Sequence, residues 1–179
     1  TFAEDTKTAY DLMIEFVTMA EDYVAKHGKA PFKPVALPKE LATPSEIMPY
    51  LRGAIAIDEG EGKYGRMVCD FRTSPKILDY VNADTAEELA TRGVSTPDLS
   101  IRIKTGPMVL PAPEAGKLDD YGKVIREKVA EFSARYKDYF ETNNAADDVE
   151  RTMLDTMPRL TLVRGLGLQP RVGHPTRTA

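Results

Sequence analysis

Two long stretches repeat apolar residues every three or four positions, while shorter apolar runs elsewhere are broken by Pro, Gly and capping residues. In the first stretch Tyr10, Met13, Ile14, Phe16, Val17, Ala20, Tyr23 and Val24 share one side of a predicted helix. Asp5 is placed to cap its start, and Gly28 to end it in a left-handed turn. The second runs from Leu118 to about Asn143, with Tyr121, Val124, Ile125, Val129, Phe132, Tyr136, Tyr139 and Phe140 on one stripe and charged residues opposite.

Between them lie several helix-start signals. Thr43-Pro44-Ser45-Glu46 combines a cap, a proline at the first helical position and a capping-box glutamate. Ser74-Pro75, Asp84-Thr85-Ala86-Glu87 and Thr96-Pro97-Asp98 open three further short helices. Residues 147–157 are expected to add another. Strands are expected near Cys69, at Pro107-Met108-Val109-Leu110 and at Leu160-Thr161-Leu162-Val163, with Asp58 to Lys63 a polar turn and the residues after Leu168 a turn-rich tail. The pattern is α/β: a small mixed sheet flanked by long helices. It divides into a helix over 1–28, a proline-rich linker over 29–43 and an α/β domain over 44–179.

The chain has 179 residues, about one domain's worth, and 42% are hydrophobic. A formal charge of −4 gives no basic footprint for nucleic acid. No apolar run approaches the ~20 residues that cross a bilayer, and no signal peptide opens the chain, so a cytoplasmic protein is expected. The single cysteine, Cys69, excludes an internal disulfide and is expected to pack in a core. The start at Thr1 just before a helix, and the close at Thr176-Arg177-Thr178-Ala179, lead to the expectation of an interior module of a larger enzyme. Thr6-Lys7-Thr8-Ala9 also echoes Thr176-Arg177-Thr178-Ala179, as duplicated structural units do.

Four stretches carry a family resemblance: Thr1 to Gly28; Leu51-Arg52-Gly53; Thr96 to Leu110; and Pro158-Arg159 through Leu162-Val163-Arg164-Gly165-Leu166-Gly167-Leu168. In order and spacing the chain resembles the middle region of bacterial bifunctional proteins that join a class II aldolase-like part to a short-chain dehydrogenase, the rhamnulose-1-phosphate aldolase/alcohol dehydrogenases. The resemblance implies a partly class II aldolase-like fold. It also implies a parent protein of carbohydrate metabolism that uses zinc for aldol cleavage and NAD for oxidation. The sequence departs from the family where histidine is expected after Thr-Pro-Asp, for Leu99 follows Asp98.

Catalytic zinc needs about three protein ligands and an open position. The chain holds two histidines, His27 at a helix end and His174 between Gly173 and Pro175, and both read as structural or surface residues. Gly165-Leu166-Gly167 lacks the third glycine and following acidic residue of a dinucleotide loop, so it reads as a turn. No catalytic residue, metal site or cofactor site is therefore expected within the chain. Arg102 and Lys104, beside a helix start at Thr96, are the candidate phosphate-binding residues, with Asp98 opposing an anion there.

The leading expectation is a connecting domain that positions the two catalytic parts, with adjacent domains and a possible second copy as partners. A stand-alone sugar-phosphate enzyme and a protein-interaction scaffold presenting the 118–143 helix are the alternatives.

Overall fold

The computed structural model describes residues 2–28 and 32–172, in two compact units, Thr1–Lys33 and Pro34–Ala179. The first is helix α1 (Thr6–His27). Asp5 caps it by accepting from the Thr8 backbone N–H at 2.9 Å, as its sequence predicts. Gly28 departs from expectation: its φ of −65° and ψ of 138° are extended, so the helix ends by the chain straightening. Helix α1 contributes no buried residue, and Tyr10, Phe16, Val17 and Tyr23 of its apolar stripe are exposed.

The second unit is built around a four-stranded sheet. Its strands are β3 (Val68–Cys69), β4 (Met108–Leu110), β5 (Leu160–Val163) and β6 (Gly167–Val172), in the order β3-β6-β5-β4. Strands β4 and β5 are parallel and the other neighbours antiparallel, a small mixed sheet as expected. A separate hairpin joins β1 (Ile57–Gly60) to β2 (Lys63–Gly65). The segment expected as a polar turn is thus a hairpin: Gly60, Glu61 and Gly62 all take positive φ, which lets two short strands reverse tightly.

Alternation along the strands fixes the two faces. Met108, Leu110 and Val163 pack with α2 (Pro44–Ala54) and α6 (Leu118–Ala145), where Ile47, Leu51, Ile55, Ile125 and Phe132 are buried. Val109 and Leu162 point the other way, into a smaller cluster with Val81 of α3 (Pro75–Val81) and Ala90 of α4 (Ala86–Thr91). A period of two buries adjacent residues on opposite faces, so the central strands read as continuous apolar runs. The capping signals work as read: Glu46 accepts from the Thr43 N–H at 2.7 Å, and Ser74 from the Ile77 N–H at 3.2 Å.

Helices α2 and α6 approach closely because Gly122 has no side chain. A Cβ there would lie 2.5 Å from the Tyr50 ring, whose hydroxyl donates to Asp119 at 3.0 Å.

Two other expectations fail. Residues 147–157 do not form a helix, because their polar groups serve other partners. Asn144 accepts from the Arg151 N–H, and Asp155 accepts from the Met157 N–H, from buried Lys104 and Arg171, and from part-exposed Arg159. Residues 169–172, expected to open a turn-rich tail, belong instead to strand β6. Gln169 is buried, and Pro170 fits because its neighbours keep the ladder to β5. His174 and the 176–179 half of the internal echo lie outside the described residues.

Candidate functional site

Helix α5 (Pro97–Ile103) starts at Thr96, whose hydroxyl accepts from the Leu99 N–H at 3.4 Å. It ends at Lys104, whose φ of 62° lies in the left-handed region where glycine is the ordinary occupant. A non-glycine held there costs of order 1–3 kcal/mol. The residue's side chain accounts for the exception. It turns inward, with 3% of its surface exposed, and its ammonium donates to the Asp155 backbone carbonyl and lies 3.5 Å from Asp155 Oδ1. It also sits 4.2 Å above the Tyr136 ring centroid, against the ring's negative face.

Asp155 is the hub of the site. Arg159 reaches its Oδ2 at 2.9 Å, and Arg171, only 1% exposed, reaches its Oδ1 at 3.0 Å. Arg159 precedes β5 and Arg171 lies on β6, and the Arg171 N–H donates to the Arg159 carbonyl at 2.8 Å. Sheet pairing therefore sets the two guanidinium groups side by side.

Three cations share one carboxylate. Burial pushes the Lys104 ammonium down to about 8, opposed by the Asp155 charge. Burial works against ionisation of Asp155, but the charges of Lys104, Arg171 and Arg159 outweigh it and hold the carboxyl below the usual aspartate range. The carboxylate does not reach every donor. Arg159 Nε, Arg171 Nε and a terminal nitrogen of Arg171 are buried without a hydrogen-bond partner among the described residues.

A cavity of about 600 Å³ opens on this cluster. Lys104 and Arg159 line it together with Ser100 and Thr105, while Tyr136, Ile101 and Leu154 supply apolar surface. Its size falls within the roughly 300–1,000 Å³ of small-molecule sites.

Of the two candidate phosphate-binding residues, the structure brings only Lys104 to this cavity. Arg102 lies on the exposed side of α5 and does not line it. Asp155, Arg159 and Arg171 were not singled out from sequence. They lie 51 or more positions from Lys104, a separation no local pattern reports.

His27 closes α1 with its ring 4.7 Å from that of Tyr23. Cys69 is half-buried beside the larger core cluster, and burial pushes its thiol up, as a packing role requires. Among the described residues, no group of three or more His, Cys, Asp or Glu is placed to hold a metal ion. Gly165 and Gly167 form the turn between antiparallel β5 and β6. A Cβ on Gly165 would meet Leu41 at 2.7 Å, and one on Gly167 would meet the Arg72 carbonyl. The turn is closely packed by Leu41 and the Arg72 backbone. Among the described residues no helix is long and apolar enough to cross a membrane.

A mixed sheet between helices agrees with the family comparison: residues 42–178 match the model of the class II aldolase second domain. The chain belongs to that family. It is also 24% identical over 176 residues to a Bacillus subtilis (strain 168) protein described as "Uncharacterized oxidoreductase YuxG", covering 94% of this chain and 24% of the relative. The chain thus spans about a quarter of that protein's length. No solved structure matches it.

Proposed function

We propose that this chain is the connecting domain of a bifunctional carbohydrate-metabolising protein, set between a class II aldolase-like part and a short-chain dehydrogenase. The observation that carries this reading is the alignment of nearly the whole chain with only 24% of an oxidoreductase. Zinc and NAD, where the whole protein uses them, belong to the flanking parts on this reading. The domain's own work is positional. Its doubly covered sheet is a stiff block, and the exposed stripe of α1 is the face offered to a flanking part or a second copy.

NAD binding tests the proposal. The full-length protein is expected to bind NAD and oxidise a short hydroxyaldehyde or alcohol, while the 179-residue chain alone binds no NAD. Saturable NAD binding by that chain alone, or a full-length protein without NAD-linked oxidation, overturns it. Light scattering checks the second-copy contact, which a strict monomer at high concentration excludes.

A further inference from the structure

The buried cluster at Asp155 holds two more positive charges than negative ones: Lys104, Arg159 and Arg171 face a single carboxylate. Buried charge left uncompensated is costly, and proteins ordinarily place acids to match. Here the one acid already accepts from all three cations. Oδ1 takes Lys104, Arg171 and the Met157 N–H, and Oδ2 takes Arg159. The donors left over on Arg159 and Arg171 have no acceptor from the described residues.

The excess charge adjoins open space. Lys104 and Arg159 both line the cavity. Beyond the charged end, Tyr136, Tyr139, Ile101 and Leu154 offer apolar surface, and Ser100 a hydroxyl.

We propose that this cavity is a binding site for a small organic anion, its carboxylate or phosphate group held by Lys104 and Arg159 and its body packed against Tyr136, Tyr139 and Leu154. The anion supplies the negative charge the cluster lacks, and Lys104 and Arg159 give it charged donors. Asp155 and Arg171 act as positioning residues: the acid holds all three cations in register, and Arg171 adds field from behind. Arg102 takes no part. The inference is independent of the connecting role, because it concerns only groups inside this domain.

The test titrates full-length protein with phenyl phosphate, benzoate and inorganic phosphate by calorimetry, using wild type, Lys104→Met and Ile101→Glu. Ile101 is 74% exposed at the cavity mouth, so Ile101→Glu leaves the core intact and sets a carboxylate where the anion enters. Phenyl phosphate or benzoate should bind saturably and more tightly than inorganic phosphate, and the stronger of the two identifies the headgroup. Both variants should weaken that binding by about tenfold or more, as like charge or a lost cation does. Absence of saturable binding at millimolar concentration overturns the proposal. So does binding unchanged in Ile101→Glu, which places the anion elsewhere, or equal affinity for inorganic phosphate, which leaves the apolar surface without a role.

Discussion

Arg171 on strand β6 lies 3.0 Å from the carboxylate of Asp155, joining the sheet to the irregular segment that follows the longest helix. That segment has little regular hydrogen bonding of its own, so the ion cluster fixes its course. Asp155 is 20% exposed on its side chain and Arg171 is 1% exposed, and the two therefore contribute unequally when removed.

Asp155→Ala leaves three cations facing one another, Arg171 among them fully buried. Breaking a buried pair in this way costs about 3–5 kcal/mol. Arg171→Met removes one excess charge and two orphaned donors while keeping apolar bulk, and should cost less than about 2 kcal/mol. Urea denaturation of both variants checks the order. If Arg171→Met is the more damaging, the cluster is not over-charged.

The pH dependence of stability follows from Lys104. Its folded pKa is lowered to about 8 against an ordinary 10.5, so between these values the unfolded chain binds more protons than the folded one. Stability attributable to this group therefore rises as pH increases through that window, as the buried charge is relieved. Lys104→Met should flatten the rise. Melting temperature measured between pH 8 and 10.5 for both proteins gives the difference curve, and a curve without slope refutes the burial of a charged amine.

Asp155 acts with the opposite sense at low pH. Its carboxyl is held below the usual value of 3.8, so its stabilisation is complete above that pH and is lost as pH falls through the lower folded value. Asp155→Asn should lack this part of the acid transition. Acid titrations of the two proteins followed by circular dichroism should differ in slope below pH 3.8.

Gly122 sets the spacing of α2 and α6. Helix propensity alone favours replacing glycine by about 1 kcal/mol. A side chain here would meet the Tyr50 ring at 2.5 Å, and overpacking costs about 1–3 kcal/mol. The clash outweighs propensity for a branched residue, so Gly122→Val should lower the melting temperature by several degrees. Tyr50→Ala in the same background should recover part of the loss, and no recovery would exclude the steric cause.

What could be read from sequence was local. Asp5, Thr43 and Ser74 work as caps because a cap needs only a side chain within three residues of an open N–H. The stripe from Tyr121 to Tyr136 gave the buried face of α6 because helical period and core contact coincide there. Met108–Leu110 and Leu160–Val163 showed as strands through their apolar runs. Residues 147–157 and the strand through Gln169 and Pro170 were misread, because their backbone is settled by distant partners and not by their own propensity.

The sequence by itself determined the α/β character, the helix starts at Asp5, Ser74 and Thr96, and the strands Met108–Leu110 and Leu160–Val163, since each follows from periodicity and neighbouring residues. Tertiary structure alone decided that Lys104 should part from Arg102 and join Asp155, Arg159 and Arg171. Two residues apart at the end of a helix, Arg102 and Lys104 point in different directions, and only strand pairing between β5 and β6 carries the two arginines to the inward one. Charge that is scattered along the chain becomes a site when sheet geometry gathers it out of water.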